Sequence, residues 1–141
     1  MAFAHGKFAS VKMDNAAGTL FDLSGISNNI DYPESIGTGE TTSFQQTAKT
    51  YVVGLTDATF SVAGTYDNTL AATIRAAIAS VVNGTNPSLT IEYGPQGTAT
   101  GKPKYTFEAI PTGISFSDPV AGVGTFKLDF QRTGPTTDAT Y

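Results

Sequence analysis

The chain has no cysteine, no tryptophan and a single histidine among 141 residues. The missing cysteines exclude disulfide staples and thiolate metal sites, a pattern that fits a reducing compartment. A Ser-His-Asp arrangement could be built only around His5, and a lone histidine near a terminus is far more often solvated than catalytic. Glu40, Glu92, Glu108 and Asp129 fall on expected strands and could pair for glycoside hydrolysis, but without tryptophan the usual sugar platform is lacking. Charge is scarce too, at 14% of residues with a net charge of −4. The cations Lys7, Lys12, Lys49, Arg75, Lys102, Lys104, Lys127 and Arg132 are scattered rather than striped, which argues against a surface that grips nucleic acid. No window is long and apolar enough for a membrane span, and the stretch MAFAHGKFASVKMD has no signal-peptide core. We therefore expect a non-enzymatic protein made in the cytoplasm, with no cofactor, no metal and no membrane contact.

Individual motifs fail on inspection. In Gly94–Pro103 the spacing from Gly97 to Gly101 is one residue short for a phosphate loop, and Pro103 stands where a magnesium-binding hydroxyl should be. Gly122-x-Gly124 has no third glycine and opens a strand, so it does not read as a dinucleotide site. Asn83-Gly84-Thr85 matches a glycosylation sequon and reads as a helix stop. Acidic residues never form a calcium-loop series; Asp57 and Asp67 read as turn residues flanking a strand.

What is present is alternation. Short period-two segments bounded by Gly, Pro, Asn or Asp predict strands at 8–13, 19–24, 26–32, 39–46, 50–53, 58–66, 88–93, 104–110, 112–118 and 123–132. In the last, Phe126, Leu128 and Phe130 face one way and Thr125, Lys127, Asp129 and Gln131 the other; Ile114 and Phe116 alternate with Ser115 and Ser117 one strand earlier. The Asp118-Pro119 to Gly122 turn joins these two as a hairpin. Over 68–82, Leu70, Ile74, Ala77, Ile78 and Val81 recur at helical spacing, with Asp67 or Asn68 as amino-terminal cap and Asn83-Gly84 as stop. The fold class is mainly β, an antiparallel sandwich or barrel with one flanking helix, in a single domain over 1–141 whose last residues, 134–141, form a mobile tail. From Ile26 to Gln46 one face is small and polar; in a closed ring of strands such a face would line a wet lumen.

The order MAFAHGK, Asp22-Leu23-Ser24, Ile30-Asp31-Tyr32-Pro33, Thr41-Thr42-Ser43-Phe44, Ala48-Lys49-Thr50-Tyr51, Gly54-Leu55-x-Asp57 and Gly64-Thr65-Tyr66-Asp67 resembles tail tube proteins of long-tailed, non-contractile (siphovirus-type) bacteriophages. The likeness continues through the Ala-rich helix, Ile91-Glu92-Tyr93-Gly94-Pro95 and Asp129-Phe130-Gln131-x-Thr133-Gly134. The resemblance implies hexameric rings stacked into a virion tail tube through which DNA passes without specific binding, assembled in the host cytoplasm. It implies tape-measure, terminator and tail-tip proteins as partners. Carried onto this chain, the strands 26–32, 39–46, 112–118 and 123–132 would line the bore. Ser27, Asn29, Asp31, Thr41, Ser43, Gln45, Ser115, Ser117, Thr125, Lys127, Asp129 and Gln131 would face it. Contacts between subunits are expected from the loop 33–39 and the segment 46–54, through Pro33, Glu34, Ile36, Gln46, Lys49 and Tyr51. The alternatives are a β-sandwich binding module using Tyr93, Tyr105 and Tyr141, or another tube-like ring protein of a contractile or secretion system.

Overall fold

Alternating apolar residues build one long antiparallel sheet that curls over its own core. The computed structural model describes residues 3–141; Met1 and Ala2, which open the MAFAHGK start, lie outside the described residues. The elements are β1 (Ser10–Asp14), β2 (Leu20–Asp22), β3 (Ser27–Asp31), β4 (Glu34–Glu40), β5 (Tyr51–Thr65), α1 (Asn68–Val82), β6 (Leu89–Gly94), β7 (Pro103–Ser117) and β8 (Thr125–Thr140). The strand order is β2-β1-β6-β7-β8-β5-β3, with β4 paired to β5 off this path. Every pairing is antiparallel. The β3 end of the sheet folds back over the core, where the Tyr32 ring, just past β3, lies 4.5 Å from Phe107 on β7 and 6.4 Å from Tyr93 on β6.

The core is the inward row of each strand: Val11 and Met13, Phe60 and Val62, Leu89 and Ile91, Phe107 and Ala109, and Phe126, Leu128 and Phe130. Such burial supplies most of the drive to fold, at about 1.5–3 kcal/mol per large apolar side chain. The helix closes one side through Ala71, Ile74 and Ala77, with Ile78 and Val81 partly buried. Asp67 caps it by accepting the Leu70 N–H at 2.9 Å, and Gly84 ends it at φ +82°, a conformation that glycine adopts without a Cβ clash.

Several expected boundaries are corrected. Strands 50–53 and 58–66 are one strand, β5. Gly54-Leu55-x-Asp57 stays extended because β4 pairs alongside it, and Asp57 Oδ1 accepts from its own strand's Ala58 N–H and from the Gln131 amide instead of shaping a turn. Strands 104–110 and 112–118 are also one, β7, with a register shift at Pro111–Gly113 that absorbs the proline. The strand expected at 39–46 lies earlier, at Glu34–Glu40, so 33–39 is not a loop. Residues 41–50 instead form its tip, where side chains satisfy the amides: Gln46 Oε1 accepts from Ser43 N–H and Thr42 Oγ1 from Thr50 N–H. The tail 134–141 is not loose, since β8 runs to Thr140 and pairs with 103–106 of β7.

Candidate assembly surfaces

The first surface is the outer face of four adjacent strands, β3, β5, β8 and β7. Their register aligns Ile30, Val62, Leu128 and Ile114 in one row, on the core side. By period-two alternation the flanking rows point away from the core. One holds Asp31, Ser61, Asp129 and Gly113; the other holds Asn29, Ala63, Lys127 and Ser115; beyond them Thr65, Thr125 and Ser117 align. The structure thus brings Asn29, Asp31, Ser115, Ser117, Thr125, Lys127 and Asp129 onto one polar face. Gln131 is in the same strand but spends its amide on Asp57 Oδ1 (2.6 Å) and the Ala58 carbonyl. Ser27 sits at a bulge and donates its hydroxyl to the Leu23 carbonyl. Thr41, Ser43 and Gln45 are elsewhere, in the 41–50 tip, with Gln45 at φ 73°. The β5 residues Thr59, Ser61, Ala63 and Thr65 were missed by sequence reasoning, although Phe60 and Val62 between them carried the alternation that could have found them.

The face carries little charge. Lys127 Nζ stands 3.8 Å from Asp129 Oδ1 in an exposed pair, a contact worth at most about 1 kcal/mol. Asn29 donates to Asp31. Among the described residues both edges of this four-stranded unit are unpaired. β3 has a neighbour only in β5, and β7 beyond Ala109 has one only in β8.

The second surface is an arm. β4 and the first half of β5 pair from Glu34–Ala58 out to Glu40–Tyr51 and leave the body as a two-stranded ribbon. Every residue of it before Ala58 is exposed. Ile36 is 65% exposed, Val53 76%, Leu55 91% and the tip residue Phe44 99%. Gly37 and Gly54 face each other so closely that a Cβ on Gly54 would lie 3.2 Å from the Gly37 carbonyl group. Of the expected contact residues, Glu34 and Ile36 are on β4, Tyr51 opens β5, Gln46 and Lys49 are in the tip, and Pro33 precedes the ribbon. A lone ribbon is marginal in water, and exposed apolar strands are an association hazard unless covered.

At the root of the arm sits Arg132, whose side chain is 3% exposed. It continues the inward row after Phe126, Leu128 and Phe130. Its Nη1 donates to Thr136 Oγ1 (2.8 Å) and Tyr32 Oη (3.2 Å), its Nη2 to Thr56 Oγ1 (3.1 Å), and Glu34 Oε2 is 3.5 Å away. The hydrogen bond to Tyr32, with Glu34 and Asp57 nearby, holds the guanidinium pKa above its ordinary value against the opposing effect of burial. Gly134 at φ +84° lets residues 134–136 bulge out and return Thr136 to this cluster.

The tyrosines of the binding-module alternative do not make a flat exposed platform. Tyr93 and Tyr105 are half-buried and pack 6.2 Å apart, and burial, then Tyr105 and Asp31, raise the Tyr93 phenol above its usual pKa. The Tyr141 ring lies over Gly94 and beneath Lys104. Among the described residues its hydroxyl has no hydrogen-bond partner, and burial together with the adjacent Glu92 carboxylate pushes its pKa up to about 12.

No protein-family model and no curated protein match the sequence. Solved structures do share the fold. A chain from the tail of an empty gene transfer agent particle aligns with TM-score 0.75 and 16% identity over 98% of this chain and 100% of that one. The SPP1 tail tube aligns at 0.72 and 11% identity, over 99% of this chain and 80% of that one. A chain from the sheath–tube complex of an extracellular contractile injection system, PVC, aligns at 0.68 and 9% identity, over 99% and 93%. The chain has a tail-tube-like fold, one shared with a contractile system and therefore not restricted to non-contractile tails.

Proposed function

We propose that this protein is the structural subunit of a virion tail tube, in which copies join side by side into rings and the rings stack. The observation that carries the reading is the four-stranded unit with one polar face and two free edges. Its strands alternate in direction, so β3 and β7 at the two edges run opposite ways. A copy placed with its β3 beside the neighbour's β7 therefore continues the sheet in antiparallel sense. Such head-to-tail pairing is heterologous and closes as a ring, which removes both free edges of the four-stranded unit.

The gene transfer agent tail with this fold has C6 symmetry. Six copies of a four-stranded unit would give about 24 strands, and at about 4.8 Å per strand and a tilt of about 40° the backbone barrel would be about 48 Å across. That bore admits a duplex. Asp31, Asp129, Lys127 and the Ser and Thr rows would line it, nearly neutral and slightly anionic, suited to DNA that must slide rather than stick. Thr41, Ser43 and Gln45 leave the lining and join Pro33, Glu34, Ile36, Gln46, Lys49 and Tyr51 in the arm, which would contact adjacent subunits. Tape-measure, terminator and tail-tip proteins complete such a tail, built in the host cytoplasm.

The test is negative-stain electron microscopy of the purified protein across a concentration series. Hollow rings or tubes with a duplex-wide bore are the expected result. A monomer at every concentration, with or without a tail-tip complex as nucleus, would overturn it.

A further inference from the structure

Among the described residues nothing covers the arm along its length, so its direction is decided at its root. Residues 35–40 and 51–55 are all exposed. At the root, β8 presents two consecutive side chains to opposite faces of the sheet. Arg132, on the core side, reaches Thr56 of β5 and Glu34 at the start of β4, and is itself fixed by Tyr32 and Thr136, which share a hydrogen bond of their own. Gln131, on the other side, holds Asp57 and the Ala58 carbonyl. Both strands of the arm are thereby tied to the body within the span Glu34–Ala58. The planar guanidinium fork suits this role, since its donors diverge at fixed angles and its charge does not titrate.

We propose that Arg132, backed by Gln131, is a positioning residue that aims the arm before assembly, so that each subunit offers the next copy a pre-directed docking element. This rests on the reading of the arm as an inter-subunit contact. Ordering the arm in advance lowers the entropy cost of docking. A slack arm would still carry the same apolar residues but would dock only at higher concentration.

The absence of cysteine makes the arm's direction measurable. Nitroxides placed at Ser43→Cys in the tip and Ala79→Cys on the exposed side of α1 report their separation by pulsed electron resonance. The protein is held below its assembly concentration. The expected result is one narrow distance distribution, which shifts and broadens in Arg132→Met while the circular dichroism of the body is unchanged. Thr56→Val removes one acceptor in the arm and keeps the arginine, and it should broaden the distribution to a lesser degree. If Arg132→Met fails to fold, Thr56→Val and Gln131→Ala carry the test. A distribution that is already broad in the parent, or stays narrow and unshifted in these variants, would overturn the clamp. Tube formation is scored separately: variants with a slack arm that assemble at the parent concentration would count against the arm as a contact, whereas the distance distribution decides the clamp.

Discussion

Replacing Gly64 by alanine should force the entry of β3 away from β5 in the polar-faced sheet. Gly64 lies opposite Ser27, where the chain enters β3. A Cβ added there would be 1.9 Å from the Ile26 carbonyl oxygen and 2.8 Å from both the Ile26 carbonyl carbon and the Ser27 Cα, all backbone atoms. Ordinary carbon–oxygen contacts begin at about 3.3 Å, so the entry to β3 must retreat by roughly 1.4 Å. That movement breaks the 2.8 Å bond from Thr65 N–H to the Ile26 carbonyl and strains the first pair of the ladder. Overpacking costs about 1–3 kcal/mol and each lost ladder bond about 1 kcal/mol, so the expected destabilisation is about 2–4 kcal/mol. Urea unfolding with an unchanged slope measures it. Gly113→Ala is the control in the same sheet, because its Cβ would meet Asp129 Oδ2 at an ordinary 3.6 Å. A Gly64→Ala protein within about 0.5 kcal/mol of the parent would show that the backbone clash is not felt, since surface changes away from such features fall in that range. Ring formation should fail in the same variant, because β3 supplies one of the two free edges.

On the arm, Leu55→Asp should leave urea stability within about 0.5 kcal/mol yet abolish tubes by electron microscopy, since Leu55 is exposed in the subunit. The Tyr141 phenol has a folded-state pKa raised from 10.0 to about 12. The folded state therefore binds the proton more tightly, and its contribution to stability is complete below pH 10 and lost as pH rises towards 12. Stability measured over that window should fall more steeply in the parent than in Tyr141→Phe, and parallel curves would contradict the assignment. Asp67→Ala removes the cap on Leu70 N–H and should cost about 1 kcal/mol of unfolding free energy.

Elements whose signals are local were legible in the order of residues alone. Phe126, Leu128 and Phe130 against Thr125, Lys127 and Asp129 specify a strand with a core face and a wet face, and α1 is bounded at Asn68–Val82 by a cap and a stop that act within a few residues. The hairpin of β7 and β8 followed from the turn between them. Features set by partners distant in sequence emerge only once the chain is folded. Asp57 read as a turn residue, yet pairing with β4 and the bond from Gln131, 74 residues away, hold it within an extended strand. Residues 134–140 read as a tail because Gly, Pro and Thr have no pattern of their own, and pairing with 103–106 makes them a strand. Arg132 looked like one of eight scattered cations, and only the meeting of Tyr32, Glu34, Thr56 and Thr136 around it makes a buried charge tolerable there. Periodicity specifies which way a side chain points along its own strand; which strand lies beside it is decided by long-range contacts that no single segment encodes.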